Sequence, residues 1–287
     1  MKKILLLGQD GMLGGELAMR LENKGYGVSS TTIQTLDICS KDAVVNKAKD
    51  VNPDYIINCA AYTNVDGCET NYDLANNVNG VALANIAEAA NEVNATLIQI
   101  STDYVFDGKL DINQVYTEDM QTGPVSAYGK TKLLGEQNAA KANKYYILRT
   151  AWLYGLGGKN FVKTMLNLSK TKDEISVVCD QHGSPTSTTT LCEIIEQIIE
   201  KEPEFGIYHS TNEGFTVWSD FTKKIFEIAN ISTKVIPITS KQYKDMYPNS
   251  SDRPTNSMLS KEKLKSVGIN PKSWEEALAE YLKEELK

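Results

Sequence analysis

The amino terminus of the chain combines a short apolar run with three evenly spaced glycines. Residues 4–7 have the composition of a buried strand, and Gly8, Gly11 and Gly14 follow before a helical stretch over residues 14–23. Such glycines permit a tight strand-to-helix turn, and they also let the backbone approach a pyrophosphate at the positive end of the helix. We therefore expect a dinucleotide phosphate loop that contains Gly8, Gly11, Met12, Leu13 and Gly14.

The first half of the chain alternates short apolar runs with helical patterns. The runs predict strands at residues 4–7, 27–31, 55–58, 95–100 and 145–149, and the patterns between them predict helices at residues 14–23, 41–51, 74–93 and 128–143. Strands that are apolar on both faces and separated by helices are typical of a parallel sheet covered on both sides. The fold class predicted is therefore α/β, with a Rossmann-type doubly wound parallel sheet.

The regular alternation of apolar runs and helical patterns ends after Trp152. Helices are predicted at residues 161–170, 191–201, 219–229, 261–267 and 274–286, and residues 205–209 are predicted to return to the sheet as a late strand. No repeat or Pro/Gly-rich linker separates the two parts. We expect a dinucleotide-binding domain of residues 1–152 plus about 188–212, and a smaller, interleaved substrate domain of about 153–187 and 213–287.

Composition and charge exclude several classes of function. The formal net charge is −7 and no basic stripe is present, which argues against a nucleic-acid partner. Five cysteines without a CxxC pair indicate reduced thiols and a cytoplasmic location, and no apolar stretch is long enough to span a membrane. The two histidines lack ligand-like spacing, so no metal site is predicted, although surface carboxylates leave Mg²⁺ binding open.

Tyr128 and Lys132 carry the most chemical information. They are four residues apart and share one face of a predicted helix. A lysine cation beside a tyrosine is expected to lower the pKa of the phenol, which can then protonate a carbonyl oxygen as hydride arrives at its carbon. Such pairs are common on helix surfaces. Here the glycine loop, the polar strand end at Thr102 and the small residues at 58–61 favour an active site.

The choice of dinucleotide depends on the end of the second predicted strand. An acidic residue there would bind the ribose hydroxyls and favour NADH. Residues 29–32 are instead Ser-Ser-Thr-Thr, neutral and rich in hydroxyls, with no Arg or Lys beside them. Asp37 arrives later and is equally suited to cap a helix. The pattern leans toward NADPH and leaves NADH open.

These motifs together resemble the extended short-chain dehydrogenase/reductases and, more narrowly, the dTDP-4-dehydrorhamnose reductase family. The resemblance spans nearly the whole chain, including the segments 101–108, 128–136, 149–155, 160–162, 180–186 and 252–254 and then Trp274. It implies that Thr102 hydrogen-bonds the keto oxygen, Tyr128 donates the proton, and Lys132 also holds the nicotinamide ribose. It further implies cofactor contacts at Asp37, Ile38, Ala60, Ala61 and Tyr62, a sugar pocket at Asp103, Tyr104 and Trp152, and diphosphate contacts at Asn160 and Arg253.

The function implied is NAD(P)H-dependent reduction of the C4 keto group of dTDP-4-dehydro-L-rhamnose to dTDP-L-rhamnose, a polysaccharide precursor, by a monomer or homodimer. Alternative enzymes on the same fold are another sugar-nucleotide 4-ketoreductase, a 4-epimerase or a dehydratase. A non-catalytic regulatory subunit is an alternative of a different class. Three of these residues also have a simpler, structural interpretation. Trp152 could be a core residue, Asp103 could orient its loop, and Arg253 could be a surface residue next to a rigid proline.

Overall fold

A six-stranded parallel sheet lies at the centre of the structure, a computed structural model that describes residues 1–287. The strands are β1 Lys3–Leu7, β2 Gly27–Thr31, β3 Tyr55–Asn58, β4 Thr96–Thr102, β5 Tyr145–Thr150, β6 Leu153–Tyr154, β7 Glu174–Val178, β8 His182–Gly183, β9 Thr186–Ser187, β10 Gly206–His209, β11 Thr216–Val217 and β12 Lys234–Ile238. The central sheet has the order β10-β5-β4-β3-β1-β2. The order reverses direction between β1 and β3, which creates a crevice at the carboxyl ends of these strands.

Twelve helices surround and extend this sheet. They are α1 Met12–Asn23, α2 Lys41–Val51, α3 Val65–Thr70, α4 Tyr72–Asn76, α5 Ala82–Glu92, α6 Ala127–Ala139, α7 Phe161–Ser169, α8 Thr188–Lys201, α9 Trp218–Ile228, α10 Ser240–Met246, α11 Glu262–Ser266 and α12 Trp274–Glu285. A π-helical turn, Asn77–Val81, joins α4 to α5, and a 3₁₀ turn, Asp103–Val105, follows β4. None of the helices is both long and apolar enough to cross a membrane.

Two apolar cores cover the two faces of the sheet. Ile4 and Leu6 of β1 pack in one core with α1 and α8, and the alternate residues Leu5 and Leu7 pack in the other with α2 and α5. A strand whose successive side chains are all buried needs cover on both faces, which explains the unbroken apolar run in the sequence. The predicted α/β fold with a doubly wound parallel sheet is therefore confirmed.

The later part of the chain builds a third core beside the sheet. It contains Tyr154, Val162, Phe221, Trp274 and Leu278, which come from segments far apart in sequence. Between these segments the chain returns to the central sheet, where β10 pairs with β5 in parallel. The late strand predicted at 205–209 is thus confirmed, whereas the exact domain boundaries stay a prediction.

Two predicted helices differ from the structure. The helix predicted at 128–143 ends at Ala139, because the Asn91 side chain donates to the Lys141 carbonyl (3.1 Å) and accepts from the Asn143 amide (2.7 Å). The long helix predicted at 74–93 is interrupted by the π-helical turn. The parallel pair of β7 and β12 was missed, since its two short strands stabilise each other across 55 or more intervening residues.

A buried ion pair joins the sheet to α6. Glu136 accepts two hydrogen bonds from Arg149 of β5, at 2.9 and 2.8 Å, and one from the Ser101 hydroxyl of β4 at 2.6 Å. Both charged side chains are at most 5% exposed. Two paired charges and a hydroxyl satisfy one another here, so the helix is held against two neighbouring strands by directional bonds as well as by apolar packing.

We predict that Glu136→Ala lowers the free energy of unfolding by about 3–5 kcal/mol, because it leaves the Arg149 guanidinium buried without its partner. Urea denaturation followed by circular dichroism measures this change. The matched control is Glu227→Ala, which removes an exposed ion pair with Lys224 and is expected to change the free energy by roughly 0.5 kcal/mol or less. Equal effects for the two variants would contradict the prediction.

Candidate active site

The glycine loop directly follows β1 in the chain, as expected. Gly8 has a left-handed φ of +84°, and a Cβ added there would lie 2.7 Å from the Ala60 amide nitrogen. A Cβ added at Gly14 would lie 2.1 Å from the Gly8 carbonyl oxygen. Gly11 precedes α1 without a side-chain cap, and the first turn of α1 carries no acidic residue. The amides at this helix end are therefore free for an anion, which fits the pyrophosphate of a dinucleotide.

The other residues predicted to hold the cofactor lie around this loop. Leu13 belongs to the core through its side chain, so only its backbone faces the crevice, and Met12 is half-buried. Ala60, Ala61 and Tyr62 follow β3 at the same edge of the sheet.

Asn79, which the sequence analysis missed, holds this second segment in place. Its side chain accepts from the Tyr62 amide (2.8 Å) and donates to the Tyr62 carbonyl (3.0 Å) and the Thr131 hydroxyl (3.2 Å). Asn79 lies in the π-helical turn and connects the segment after β3 to α6. The sequence offered no signal for this role, because an asparagine within a helical pattern is more often solvent-exposed.

Asp37 and Ile38 lie beyond the end of β2. The exposed Asp37 carboxylate accepts from the Cys39 amide at 2.9 Å, which is a local turn contact, and Ile38 is buried in the core. β2 itself ends at Thr31, whose carbonyl accepts from the amides of Gly8 and Gln9. The position that would favour NADH is thus neutral, as the sequence indicated, and the adenine contacts of Asp37 and Ile38 stay a prediction.

The structure brings Thr102, Tyr128 and Lys132 to the carboxyl edge of the sheet. Thr102 ends β4, and its hydroxyl donates to Asp103 Oδ1 at 2.9 Å and accepts from the Tyr104 amide at 3.3 Å. Tyr128 lies in the first turn of α6, close enough to the Thr102 hydroxyl for a hydrogen bond that favours its phenolate form. Its ring meets the Tyr104 ring edge-on, with centroids 5.5 Å apart.

Lys132 lies one turn further along α6. Its ammonium donates to the Ile100 carbonyl at 2.7 Å, and the side chain is almost fully buried. Burial lowers the pKa of Lys132 to about 8, and the nearby Glu136 carboxylate opposes part of that shift. The cation is therefore held at a defined point at the edge of the sheet by the Ile100 carbonyl.

The expected direction of the Tyr128 pKa shift is wrong for this structure. Burial raises the pKa of Tyr128 above its usual value, and the neighbouring Asp103 and Tyr104 raise it further. The Lys132 cation is bonded to Ile100, and it does not offset the loss of water around the phenol. Tyr128 is accordingly a neutral phenol with a proton to donate.

Trp152 lies just after β5. It follows Thr150, which lies opposite Thr102 in the parallel register of β4 and β5, so it lies at the same edge of the sheet. Its backbone adopts a left-handed φ of +49°, a strained conformation for a bulky residue that often marks a functional position. The indole stacks on Trp218 with centroids 3.6 Å apart and planes 11° apart. Half-buried Trp152 is thus more than a core residue.

Trp218 also lines a cleft of about 480 Å³ between α7, α9, α10 and the β7–β12 pair. Its walls include the apolar and aromatic side chains of Phe161, Met165, Ile175, Tyr243 and Tyr247, with Arg253 among the polar residues. The sequence analysis missed Trp218, because it is 66 positions from Trp152 and only tertiary packing brings the two indoles together.

Asn160 and Arg253 occupy the surroundings of this cleft. Asn160 caps α7, and its amide accepts from Lys163 N (3.0 Å), donates to the Gly155 carbonyl (2.7 Å) and lies 3.8 Å from the Met12 sulfur. Arg253 Nη2 lies 3.6 Å from the Asp66 carboxylate. Both side chains have structural partners, and their contacts with a diphosphate stay predictions. No group of three or more His, Cys, Asp or Glu side chains is arranged to hold a metal ion.

Comparison with known proteins places this geometry in a family. A family model described as the RmlD substrate binding domain matches residues 1–287. The chain is 40% identical over 285 residues to the spore coat polysaccharide biosynthesis protein SpsK of Bacillus subtilis, covering 99% of this chain and 98% of that protein. A crystal structure of a dTDP-4-dehydrorhamnose reductase from Clostridium acetobutylicum is 43% identical, with a TM-score of 0.94, over 99% of this chain and 100% of that one. This chain belongs to the dTDP-4-dehydrorhamnose reductase family.

A further member of the dTDP-4-dehydrorhamnose reductase family was solved with a dinucleotide. The enzyme of Bacillus anthracis str. Ames, in complex with NADP, is 38% identical to this chain, with a TM-score of 0.93 and 99% coverage of both chains. The resemblance noted from the sequence motifs is thereby confirmed over the full length of the chain.

We predict that Trp218→Leu abolishes the exciton coupling between the two stacked indoles in the circular dichroism spectrum. Parallel rings at 3.6 Å couple strongly, and leucine leaves Trp152 without its neighbour. Trp274→Phe is the matched control, because Trp274 is buried against Phe221 and is the third tryptophan of the chain. A coupling signal that survives in Trp218→Leu and disappears in Trp274→Phe would contradict the stacked arrangement.

Proposed function

We propose that this protein reduces the C4 keto group of dTDP-4-dehydro-L-rhamnose to give dTDP-L-rhamnose, with NADPH or NADH as hydride donor. One observation carries the proposal. The Thr102 hydroxyl, the neutral Tyr128 phenol and the buried Lys132 cation are at one edge of a parallel sheet whose glycine loop fits a pyrophosphate. A proton donor, a hydrogen-bond donor and a cation beside a dinucleotide site are the components that carbonyl reduction requires.

The cofactor would be held along the crevice at the switch point of the sheet. The loop from Gly8 to Gly14, including Gly11, Met12 and Leu13, would take the pyrophosphate. Ala60, Ala61 and Tyr62 would flank the middle, and Asp37 and Ile38 the adenine end. When bound, the reduced nicotinamide supplies the hydride. NADPH is favoured because the end of β2 is neutral and the Bacillus anthracis relative binds NADP.

The residues of this chain then act on the keto oxygen. Tyr128 donates its phenolic proton to that oxygen, and the Thr102 hydroxyl donates a hydrogen bond to the same atom. The Lys132 cation stabilises the resulting tyrosinate and binds the nicotinamide ribose hydroxyls. Thr102 and Lys132 are buried and Tyr128 is half-buried, and this limited access of water strengthens each electrostatic interaction.

The sugar nucleotide would extend from these groups toward the cleft beside Trp218. Tyr104, Asp103 and Trp152 line the sugar end. Arg253, and Asn160 at the start of α7, are available for the diphosphate, since a guanidinium binds phosphate oxygens in a bidentate manner. The aromatic walls of the cleft suit a nucleoside, because flat apolar side chains can stack on a base.

The biological setting follows from this reaction. dTDP-L-rhamnose is a precursor of surface polysaccharide, and the SpsK relative is named for spore coat polysaccharide biosynthesis. We propose a cytoplasmic enzyme that acts as a monomer or homodimer. Its five cysteines are all free of disulfide bonds, in keeping with a reducing compartment.

The deciding experiment is NAD(P)H oxidation by the purified protein, supplied with dTDP-4-dehydro-L-rhamnose and each cofactor in turn. We expect rapid oxidation, with dTDP-L-rhamnose as the product and a preference for NADPH. Tightly retained cofactor without net oxidation would support a 4-epimerase instead. Cofactor binding without turnover on any 4-keto sugar nucleotide would support a non-catalytic subunit.

We predict that Tyr128→Phe lowers turnover by about 10²–10⁴-fold, the usual contribution of a general acid, since the ring remains and the proton is lost. Cofactor affinity, measured by fluorescence titration, is expected to stay within about twofold because the phenol only supplements the phosphate contacts. The control is Tyr145→Phe at the opposite, amino end of β5, which should leave turnover unchanged. Near-normal turnover of Tyr128→Phe would refute the proposed mechanism.

A further inference from the structure

The Thr102 hydroxyl has only one proton to give, and the structure already assigns it. A hydroxyl group can donate one hydrogen bond and accept two. Thr102 accepts from the Tyr104 amide at 3.3 Å and donates to Asp103 Oδ1 at 2.9 Å. The Tyr128 phenol is also within hydrogen-bond distance of the Thr102 hydroxyl. In the proposed reaction that phenol turns to the keto oxygen, which leaves one lone pair on the Thr102 oxygen open, whereas the Thr102 proton is already in use.

This assignment conflicts with the part that Thr102 plays in the proposed reduction. There the same proton must point at the keto oxygen. An ionised Asp103 can only accept hydrogen bonds, so it retains the Thr102 proton. A protonated Asp103 can instead donate its own proton to the open lone pair on Thr102. The direction of the hydrogen bond is then reversed, and the Thr102 proton becomes available to the substrate.

We propose that Asp103 is a protonation-dependent positioning residue for Thr102, whose hydroxyl can donate to the keto oxygen only when Asp103 is in its carboxylic acid form. This inference rests on the proposed function. The only chemical change is the uptake of one proton from solvent by the Asp103 carboxylate. No covalent bond between heavy atoms is made or broken.

The surroundings of Asp103 make its acid form accessible. The residue is 2% exposed and its Oδ2 has no hydrogen-bond partner. Burial raises the pKa of its carboxyl to about 6, although the nearby Ser257 and Thr102 hydroxyls lower it. The Arg253 guanidinium forms its ion pair with Asp66, and Asp103 has no ion-pair partner. The titratable and charged groups around Asp103 come from its own turn and from three packed segments, and they are Tyr104, Tyr128, Cys68, Asp66 and Arg253.

The sign of the pH dependence follows from these facts. The competent form is protonated, so activity is present below the pKa of Asp103 and is lost as the pH rises through it. For the wild-type protein we expect kcat/KM to fall between about pH 5.5 and about pH 7.5 by about 5- to 20-fold, the effect of one hydrogen bond to an oxygen that gains charge. The profile of kcat/KM reports the free enzyme, in which Asp103 titrates.

The Asp103→Asn variant distinguishes protonation-dependent positioning by Asp103 from a simple requirement for its carboxylate. A side-chain amide always carries an N–H donor, so it can donate to Thr102 at every pH. We expect the kcat/KM of this variant to vary by no more than about threefold over the same pH range, which lies below the pKa of Lys132, and to exceed the wild-type value at the alkaline end. Asp107→Asn is the matched control, because Asp107 is in the same loop and binds Tyr116 and the Lys109 amide. It should retain the wild-type fall.

Two results would overturn the proposal. One is a wild-type profile that is flat over this range. The other is an Asp103→Asn variant that keeps the wild-type fall, or that is inactive at every pH with a native circular dichroism spectrum.

Infrared difference spectroscopy separates this proposal from the proposed function, since it needs no substrate. We expect the wild-type spectrum minus that of Asp103→Asn to contain the C=O stretch of a buried carboxylic acid, disappearing as the pH rises through about 6. If the band titrates in this way but dTDP-4-dehydro-L-rhamnose is not reduced, the proposed function fails and the Asp103 proton exchange stands. If reduction proceeds and no such band occurs at any pH, the proposed role of the Asp103 carboxylic acid is wrong.

Discussion

The buried contact between Glu136, Arg149 and Ser101 is the interaction on which the candidate site depends. It joins α6, β5 and β4 with three short hydrogen bonds, all shielded from water. Ser101 immediately precedes Thr102, and Glu136 is one helical turn from Lys132. Any change in the distance between helix and sheet would therefore move the hydroxyl, the phenol and the cation relative to one another. Directional charged bonds resist such movement better than apolar contacts, which tolerate sliding.

Burial then sets the protonation of the groups that this contact positions. Taking Tyr128 out of water keeps its proton on the phenol, and the same effect lowers the pKa of Lys132 and raises that of Asp103. The shifts share one physical cause, the loss of solvation of the charged form. At this site Tyr128 keeps its proton, Asp103 takes one up as the pH falls through about 6, and the Lys132 cation is held by the Ile100 carbonyl. That arrangement suits a reaction that consumes a proton.

The sequence was sufficient for much of the fold and for the centre of the site. The apolar run 4–7 and the glycines after it predicted β1 and its turn, because a strand buried on both faces and a tight turn each demand particular residue types. Tyr128 and Lys132 were found because their spacing is that of one helix face. The short strands β7 and β12 escaped, since their stability comes from each other and not from local pattern. Asn79 and Trp218 were also missed, because their roles depend on contacts with segments that are distant in sequence.

The sequence by itself determined the alternation of strands and helices, the phosphate loop and the chemical groups available for catalysis, because these depend on local periodicity, backbone freedom and residue type. The tertiary structure alone decided how those groups are protonated and which of them touch. The raised pKa of Tyr128, the stack of Trp152 on Trp218 and the bond from Thr102 to Asp103 all depend on burial and on side-chain distances. Solvation and distance are properties of the packed chain, so no reading of residue order contains them.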